Sequence, residues 1–315
     1  MPSSIAASAA AISRNPHLAA SARPFIKWAG GKSRLIEQYK PFLPDDFDRY
    51  HEPFLGGGAL FFHLAPQLIA QGKKAYLSDL NPELVNVYRC VRDHVEALIV
   101  QLAEHQALHS EAHYYAVRSL PRSPGAPTIE TDPVSRAARL IYLNKTCYNG
   151  LYRENAKGYF NVPIGRYKNP KICAPDLLRP ASLALQVANI SIRPFTAVLD
   201  FAKGDPLEEG PCDAPEERLC QRDFVYFDPP YHPLSDTSKF TAYSRYQFAE
   251  AHQIELKNLI VKLSDRKVSV LASNADCPFI RELYDGCKIK TITAARSINS
   301  KASKRGKITE VLIIA

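Results

Sequence analysis

One stretch constrains the chain more than any other. Phe224-Val225-Tyr226-Phe227 is an unbroken apolar run that passes directly into Asp228-Pro229-Pro230-Tyr231. A short apolar run stopped by two prolines reads as a strand buried on both faces. Proline donates no backbone hydrogen bond, so the ladder ends there and Asp228 lies at the strand's carboxyl end. Strands of this kind belong to open α/β sheets, which bind ligands at that edge. The tetrapeptide supplies a carboxylate at Asp228, stiffly held carbonyls at Pro229 and Pro230, and an aromatic face at Tyr231. That set suits a planar base carrying an exocyclic amine. The amine donates to the carboxylate and to the Pro229 carbonyl, its lone pair leaves conjugation, and the ring stacks on Tyr231. An amine so held can attack an electrophilic methyl group. The blander alternative is a Pro-stiffened turn; the strand context and the acid disfavour it.

The N-terminal half predicts the other wall of such a site. Residues 48–54 read as a short buried strand, 59–71 as a helix and 74–80 as a second strand, the βαβ opening of a doubly wound domain. Between the first strand and its helix stands Phe54-Leu55-Gly56-Gly57-Gly58, where glycines let a ligand approach the backbone closely. Asp79, 21 residues beyond Gly58, ends the second strand, where a carboxylate accepts hydrogen bonds from a ribose. A dinucleotide fingerprint wants a third glycine at position 61, and Phe61 stands there, so an adenosyl cofactor fits better than NAD. Trp28-Ala29-Gly30-Gly31-Lys32-Ser33 resembles a phosphate loop, but Ile26 occupies the position of its first glycine, which argues against ATP. Lys32 is suited instead to the carboxylate of an amino-acid-like ligand.

Charge and composition set the organisation. Lys plus Arg exceed Asp plus Glu by 40 − 32 = 8, an excess that suits a polyanionic partner. It is uneven: residues 136–179 carry nine Lys or Arg against Glu154 and Asp176 alone, and residues 296–307 are basic without an acid. Residues 1–22, rich in Ala and Ser, are expected to be a disordered tail, and the acidic, Pro-containing residues 204–222 a mobile surface insertion. Residues 23–83 and 180–315 then form the α/β domain, and 84–179 an inserted, mostly helical segment broken by a Pro-rich stretch at 121–127. Seven scattered cysteines without a Cys-x-x-Cys pair predict reduced thiols in the cytoplasm, and no apolar run is long enough to span a membrane. His105, His109 and His113 share a helical stripe, yet nothing supplies further ligands, so no metal is expected. Asp45-Asp46 reads as a solvated turn.

Several of these motifs occur together and in order in one family. Lys27–Lys32 (KWAGGK), Phe54–Gly58 (FLGGG), Ser78–Asn81 (SDLN), Leu143–Arg153 (LNKTCYNGLYR), Tyr159–Tyr167 (YFNVPIGRY), Asp228–Tyr231 (DPPY) and Arg296–Ile313 resemble the D12, or Dam-type, N6-adenine-specific DNA methyltransferases of the alpha group. The resemblance runs from about Pro24 to the C-terminus. It implies a Rossmann-like α/β fold with a mixed seven-stranded sheet, one strand antiparallel, plus an inserted helical recognition domain. It also implies S-adenosylmethionine bound by Trp28, Lys32, Phe54, Gly56, Gly58, Asp79 and Asp228, with catalysis at Asp228, Pro229, Pro230 and Tyr231. Toward DNA it implies Tyr148 intercalating beside a flipped adenine and Asn149 contacting the orphaned thymine. Leu151 and Pro163 would lie against bases, Arg153 and Lys27 on guanines, and Arg166 on a phosphate. Those residue types match members that modify GATC. The expected protein is a monomer acting on double-stranded DNA in the nucleoid, with any cognate restriction endonuclease a separate chain. Restriction protection and replication or repair marking are equally compatible with it. Two rivals are a methyltransferase acting on RNA or another amine, and a catalytically silent DNA-binding protein on the same scaffold. The leading Asp228 and the YNGLYR segment disfavour the first, and the intact Asp228–Tyr231 motif the second.

Overall fold

The computed structural model describes residues 19–120, 132–155, 158–201, 223–233, 248–295 and 307–315. The expected tail lies outside them up to residue 18, as do the acidic insertion, the Pro-rich break and the basic residues 296–306. Seven strands, β1 (Arg49–Glu52), β2 (Lys74–Asp79), β3 (Ala188–Ile192), β4 (Asp223–Phe227), β5 (Ser269–Ala275), β6 (Lys288–Ala295) and β7 (Lys307–Ile314), form one sheet. Their order is β3-β2-β1-β4-β5-β7-β6. β7 runs antiparallel to both β5 and β6, and the pairings among β1 to β5 are parallel. This is the mixed seven-stranded sheet with one antiparallel strand that the resemblance implied. The chain winds outward from β1 through β2 to β3, then restarts on the other side of β1 with β4. The crevice above the carboxyl ends of β1 and β4 is therefore the topological switch point, where open sheets bind ligands.

Helices follow in chain order as α1 (Ile36–Tyr39), α2 (Ala59–Ala70), α3 (Pro82–Asp93), α4 (Val95–Ala107), α5 (Glu111–Ser119), α6 (Pro133–Thr146), α7 (Pro175–Leu185), α8 (Val198–Phe201), α9 (Glu250–Asp265) and α10 (Pro278–Leu283). β4 is buried at every position because its two faces feed two cores. Phe224 and Tyr226 join Tyr50, Leu77 and the side chains of α2 and α3, while Val225 and Phe227 join Leu256, Ile260, Val270 and Ile313 beneath α9. The two-residue period of a strand sorts them. Asn81 caps α3, its Oδ1 accepting from the N–H groups of Glu83 (3.0 Å) and Leu84 (3.2 Å), with Pro82 in the first turn.

The segment inserted between β2 and β3 begins and ends on sheet-packing helices. Arg89 of α3 donates to the Ile190 carbonyl (2.9 and 2.7 Å) and Arg92 to that of Ala188 (2.8 Å), and Gln186, after α7, returns to the Arg92 carbonyl. Between them α4, α5 and α6 pack together around Tyr142. The three histidines surround that ring: His105 and His113 share a hydrogen bond (3.0 Å), and His109 Nδ1 lies 3.0 Å from the Tyr142 hydroxyl. The helix after Leu35 is a single turn, with Pro41 following at once. β5 runs on through Ser273-Asn274 to Ala275; these polar residues are buried by specific partners rather than by apolar packing.

Candidate active site

The chain turns after β1 through Gly56 (φ +47°) and Gly58 (φ +64°), both in the left-handed region that favours glycine. Neighbours leave no room for side chains: a Cβ on Gly56 would lie 3.0 Å from Trp28 Cδ1, and one on Gly58 2.9 Å from the Tyr88 hydroxyl. Asp79 braces the turn, accepting from the N–H of Gly56 (3.2 Å) and of Asn81 (2.9 Å). Desolvation raises its carboxyl, opposed by the N–H groups of Asn81, Gly56 and Leu80. Phe54 stacks on Phe195, with ring centroids 5.4 Å apart, and meets Phe227 edge-on. Trp28, Phe54, Gly56, Gly58 and Asp79 thus converge at one edge.

Asp228 enters the same edge from β4. Lys32 Nζ, 4% exposed, makes a 2.9 Å ion pair with Asp228 Oδ1, donates to the Gly30 carbonyl (2.6 Å) and sits 4.5 Å from the centroid of the Tyr231 ring. Ser273 donates to the same Asp228 oxygen at 2.6 Å. Tyr231 donates its hydroxyl to Glu310 of β7 (2.7 Å). Burial raises the Glu310 carboxyl, against the pull of Lys32 and the Tyr231 hydroxyl. Segment 27–32 therefore joins the glycine turn to the Asp-Pro-Pro-Tyr loop.

The residues expected to meet DNA share one surface built from two paired segments. Tyr148-Asn149-Gly150 form a turn with Asn149 at φ +56°. Tyr148 N–H donates to the Pro163 carbonyl (2.9 Å), Gly165 N–H to that of Thr146 (2.8 Å), and Cys147 bridges Ile164. Tyr148, Asn149, Arg153, Pro163 and Arg166 are exposed, and Leu151 is half-buried. Arg153 is held at its base by Asn161, through Nε to Oδ1 at 2.7 Å. Lys27 lies alongside, its ammonium 4.2 Å from the Tyr167 centroid, and Trp28 stacks on Tyr152 at 5.3 Å. Burial, helped by Lys27, lowers the Lys145 ammonium to about 8.

The D12 class N6 adenine-specific DNA methyltransferases match the chain over residues 28–207 and 208–298. The chain belongs to this family and is an adenine-specific DNA methyltransferase. Among its relatives, the type II methyltransferase M1.LlaDCHI of Lactococcus lactis subsp. cremoris is 41% identical over 292 residues, covering 92% of this chain and 94% of that protein. The type II methyltransferase M.MjaIII of Methanocaldococcus jannaschii is 39% identical over 306 residues, covering 93% and 98%. The DNA adenine methylase of Haemophilus influenzae is 33% identical over 296 residues, covering 93% of each chain.

Five buried polar residues of the methyltransferase site escaped the sequence reading. Asn144 takes the Lys27 N–H (2.8 Å) and donates to the Lys27 (2.6 Å) and Gly150 (3.1 Å) carbonyls, riveting the loop of Lys27 and Trp28 to the Tyr148–Gly150 turn. Glu52, at the end of β1, accepts from the Tyr50 hydroxyl (2.8 Å) and the Phe61 N–H (3.1 Å). Its burial, with Asp228 nearby, raises it to about 8. Ser273 and Asn274 of β5 and Gln253 of α9 complete the set. The signal was present for four: Asn144 lies within LNKTCYNGLYR, Glu52 precedes FLGGG, and a Ser-Asn pair in a buried strand has no packing purpose. Gln253, on an ordinary amphipathic helix, carried none.

Proposed function

We propose that this methyltransferase transfers a methyl group from S-adenosylmethionine to N6 of adenine in double-stranded DNA, at GATC, with the adenine turned out of the duplex. The observation that carries the reading is the meeting of the Lys32–Asp228 pair with the glycine turn at the switch point of the sheet. The residues present suit the cofactor. Gly56 and Gly58 give the turn after β1 a left-handed backbone without side chains, which lets a ligand approach it closely, Asp79 is an acceptor for ribose hydroxyls, and Trp28 and Phe54 give apolar walls. S-adenosylmethionine, when bound, supplies an electrophilic methyl group on a sulfonium. The chain's own task is to hold the amine. Among the described residues, both contacts to Asp228 fall on Oδ1, so Oδ2 is the oxygen offered to one amine hydrogen. The Pro229 carbonyl takes the other, and the Tyr231 ring stacks on the base. With both hydrogens engaged out of the ring plane, the nitrogen lone pair is released for attack.

Turning the base out costs a few kcal/mol, which protein contacts must offset. Tyr148 fills the vacated stack and Asn149 meets the orphaned thymine, with Leu151 and Pro163 against neighbouring bases. Arg153 reads one guanine bidentately and Lys27 the other, while Arg166 holds a phosphate. Residues 84–179 supply this recognition surface, and 23–83 with 180–315 the catalytic domain. The enzyme works as a monomer on the nucleoid in the cytoplasm. The test is transfer of a labelled methyl group to a GATC duplex beside one lacking the site. Transfer confined to the first is expected; equal transfer to both overturns GATC specificity, and none to either overturns the reading.

A further inference from the structure

Two prolines leave the catalytic loop without backbone donors at positions 229 and 230. A loop of that kind is fixed through its carbonyls and through the N–H groups that follow. Two buried amides do this here. Gln253 of α9 donates Nε2 to the Pro230 carbonyl at 3.1 Å, and its Oε1 accepts from Asn274 Nδ2 at 2.9 Å. Asn274 Oδ1, near the end of β5, accepts from Ala275 N–H at 2.8 Å and from His232 N–H at 3.4 Å. The polarity of the chain is self-consistent. Pro230 offers only an acceptor, so Gln253 must present its NH2 there, and each later group then meets its complement. Gln253 and Asn274 are 0% and 1% exposed, so water does not compete.

We propose that Gln253 and Asn274 are positioning residues for methyl transfer. They grip the loop on both sides of Tyr231, at the Pro230 carbonyl and the His232 N–H. The Pro230 ring locks its φ at about −65°, so a single torsion separates the anchored carbonyl from the Pro229 carbonyl that receives the amine. Ser273, the neighbour of Asn274, holds the Asp228 carboxylate at 2.6 Å. The end of β5 and the buried face of α9 thereby set the two acceptors that fix the direction of the adenine lone pair. The proposal rests on the catalytic assignment of Asp228 to Tyr231.

Gln253→Glu tests it with little change of shape. A protonated Glu donates to the Pro230 carbonyl and accepts from Asn274; an ionised one sets two acceptors against each other. Burial raises a carboxyl without a cation beside it, so ionisation comes at the alkaline end of the assay range. The expected result is a kcat near wild type at about pH 6 that falls at least about tenfold below it by about pH 9, with KM for duplex and methyl donor changed less than about threefold. Gln253→Leu, which has no donor at any pH, is expected to lower kcat by about ten- to a hundredfold throughout. A folded Gln253→Leu enzyme with wild-type kcat, or a Gln253→Glu profile parallel to wild type, overturns the proposal. If Gln253→Leu does not fold, the Gln253→Glu profile alone decides. Asp228→Ala is assayed alongside: activity there overturns the catalytic assignment, whereas an inactive Asp228→Ala beside unaffected Gln253 variants overturns the positioning role alone.

Discussion

Glu52 shows what a single residue contributes here beyond chemistry. It sits on the central strand β1, and burial lifts its carboxyl to about 8 while the Tyr50 hydroxyl and Phe61 N–H both donate to its Oε2. A carboxyl raised on folding binds more protons in the folded state than in the unfolded one between its two pKa values. Its contribution to stability is therefore complete at low pH and is lost as pH rises from about 4.5, the ordinary carboxylate range, to about 8. Glu52→Gln removes that dependence. Relative to wild type, the variant should gain at least about 1 kcal/mol between pH 6 and 8, read from urea unfolding at each pH. Gly58 gives a second residue-scale test. Its φ of +64° and the Tyr88 hydroxyl 2.9 Å from a built Cβ predict that Gly58→Ala loses about 1–3 kcal/mol, seen as a lower thermal midpoint. The glycines and Asp79 were legible in the sequence because a strand-end turn demands those residue types. Glu52 was not read: its place just before FLGGG marks it as near the turn, but does not tell a buried acid from an exposed one.

At the scale of elements, the recognition turn and the loop carrying Lys27 and Trp28 are bound by one side chain, Asn144. Its partners lie 117 residues away in one direction and six in the other. No local pattern reveals such a pairing, which is why the sequence yielded the two motifs but not the rivet between them. Asn144→Ala leaves the buried Gly150 carbonyl and the partly buried Lys27 backbone without this partner, and should cost about 1–3 kcal/mol of stability, measurable by denaturant unfolding. The strand β5 teaches the same lesson. Its polar end was not read, because Ser273 and Asn274 are buried for the sake of Asp228, Gln253 and His232. On the recognition surface, Arg153 is already held by Asn161 at its Nε, which orients the outer guanidinium. Arg153→Ala should relax discrimination at one guanine by about 1–3 kcal/mol. In a salt titration of duplex binding, Arg166→Ala should instead reduce the slope by about one charge.

Across the whole molecule, the sheet order places the glycine turn and the Asp-Pro-Pro-Tyr loop on adjacent strands, and segment 27–32 ties both to the recognition surface through Lys32, Trp28 and Lys27. The alternation of apolar strands and helices made the doubly wound class legible, while the mixed seven-stranded sheet was expected from the family resemblance and its strand order was not read. Nine basic residues fall within 136–179, of which Arg136 and Arg179 pair with Glu83 and Glu96 and Arg139 is buried against backbone carbonyls. The proposed place of the adenine amine is at Asp228 in this junction. That place is tested most directly by incubating wild-type and Asp228→Ala enzymes with S-adenosylmethionine and a GATC duplex, digesting the product to nucleosides and weighing them. N6-methyldeoxyadenosine from the wild type, with none above background from an Asp228→Ala protein that still binds duplex, is the predicted result. Comparable N6-methyldeoxyadenosine from both would contradict it.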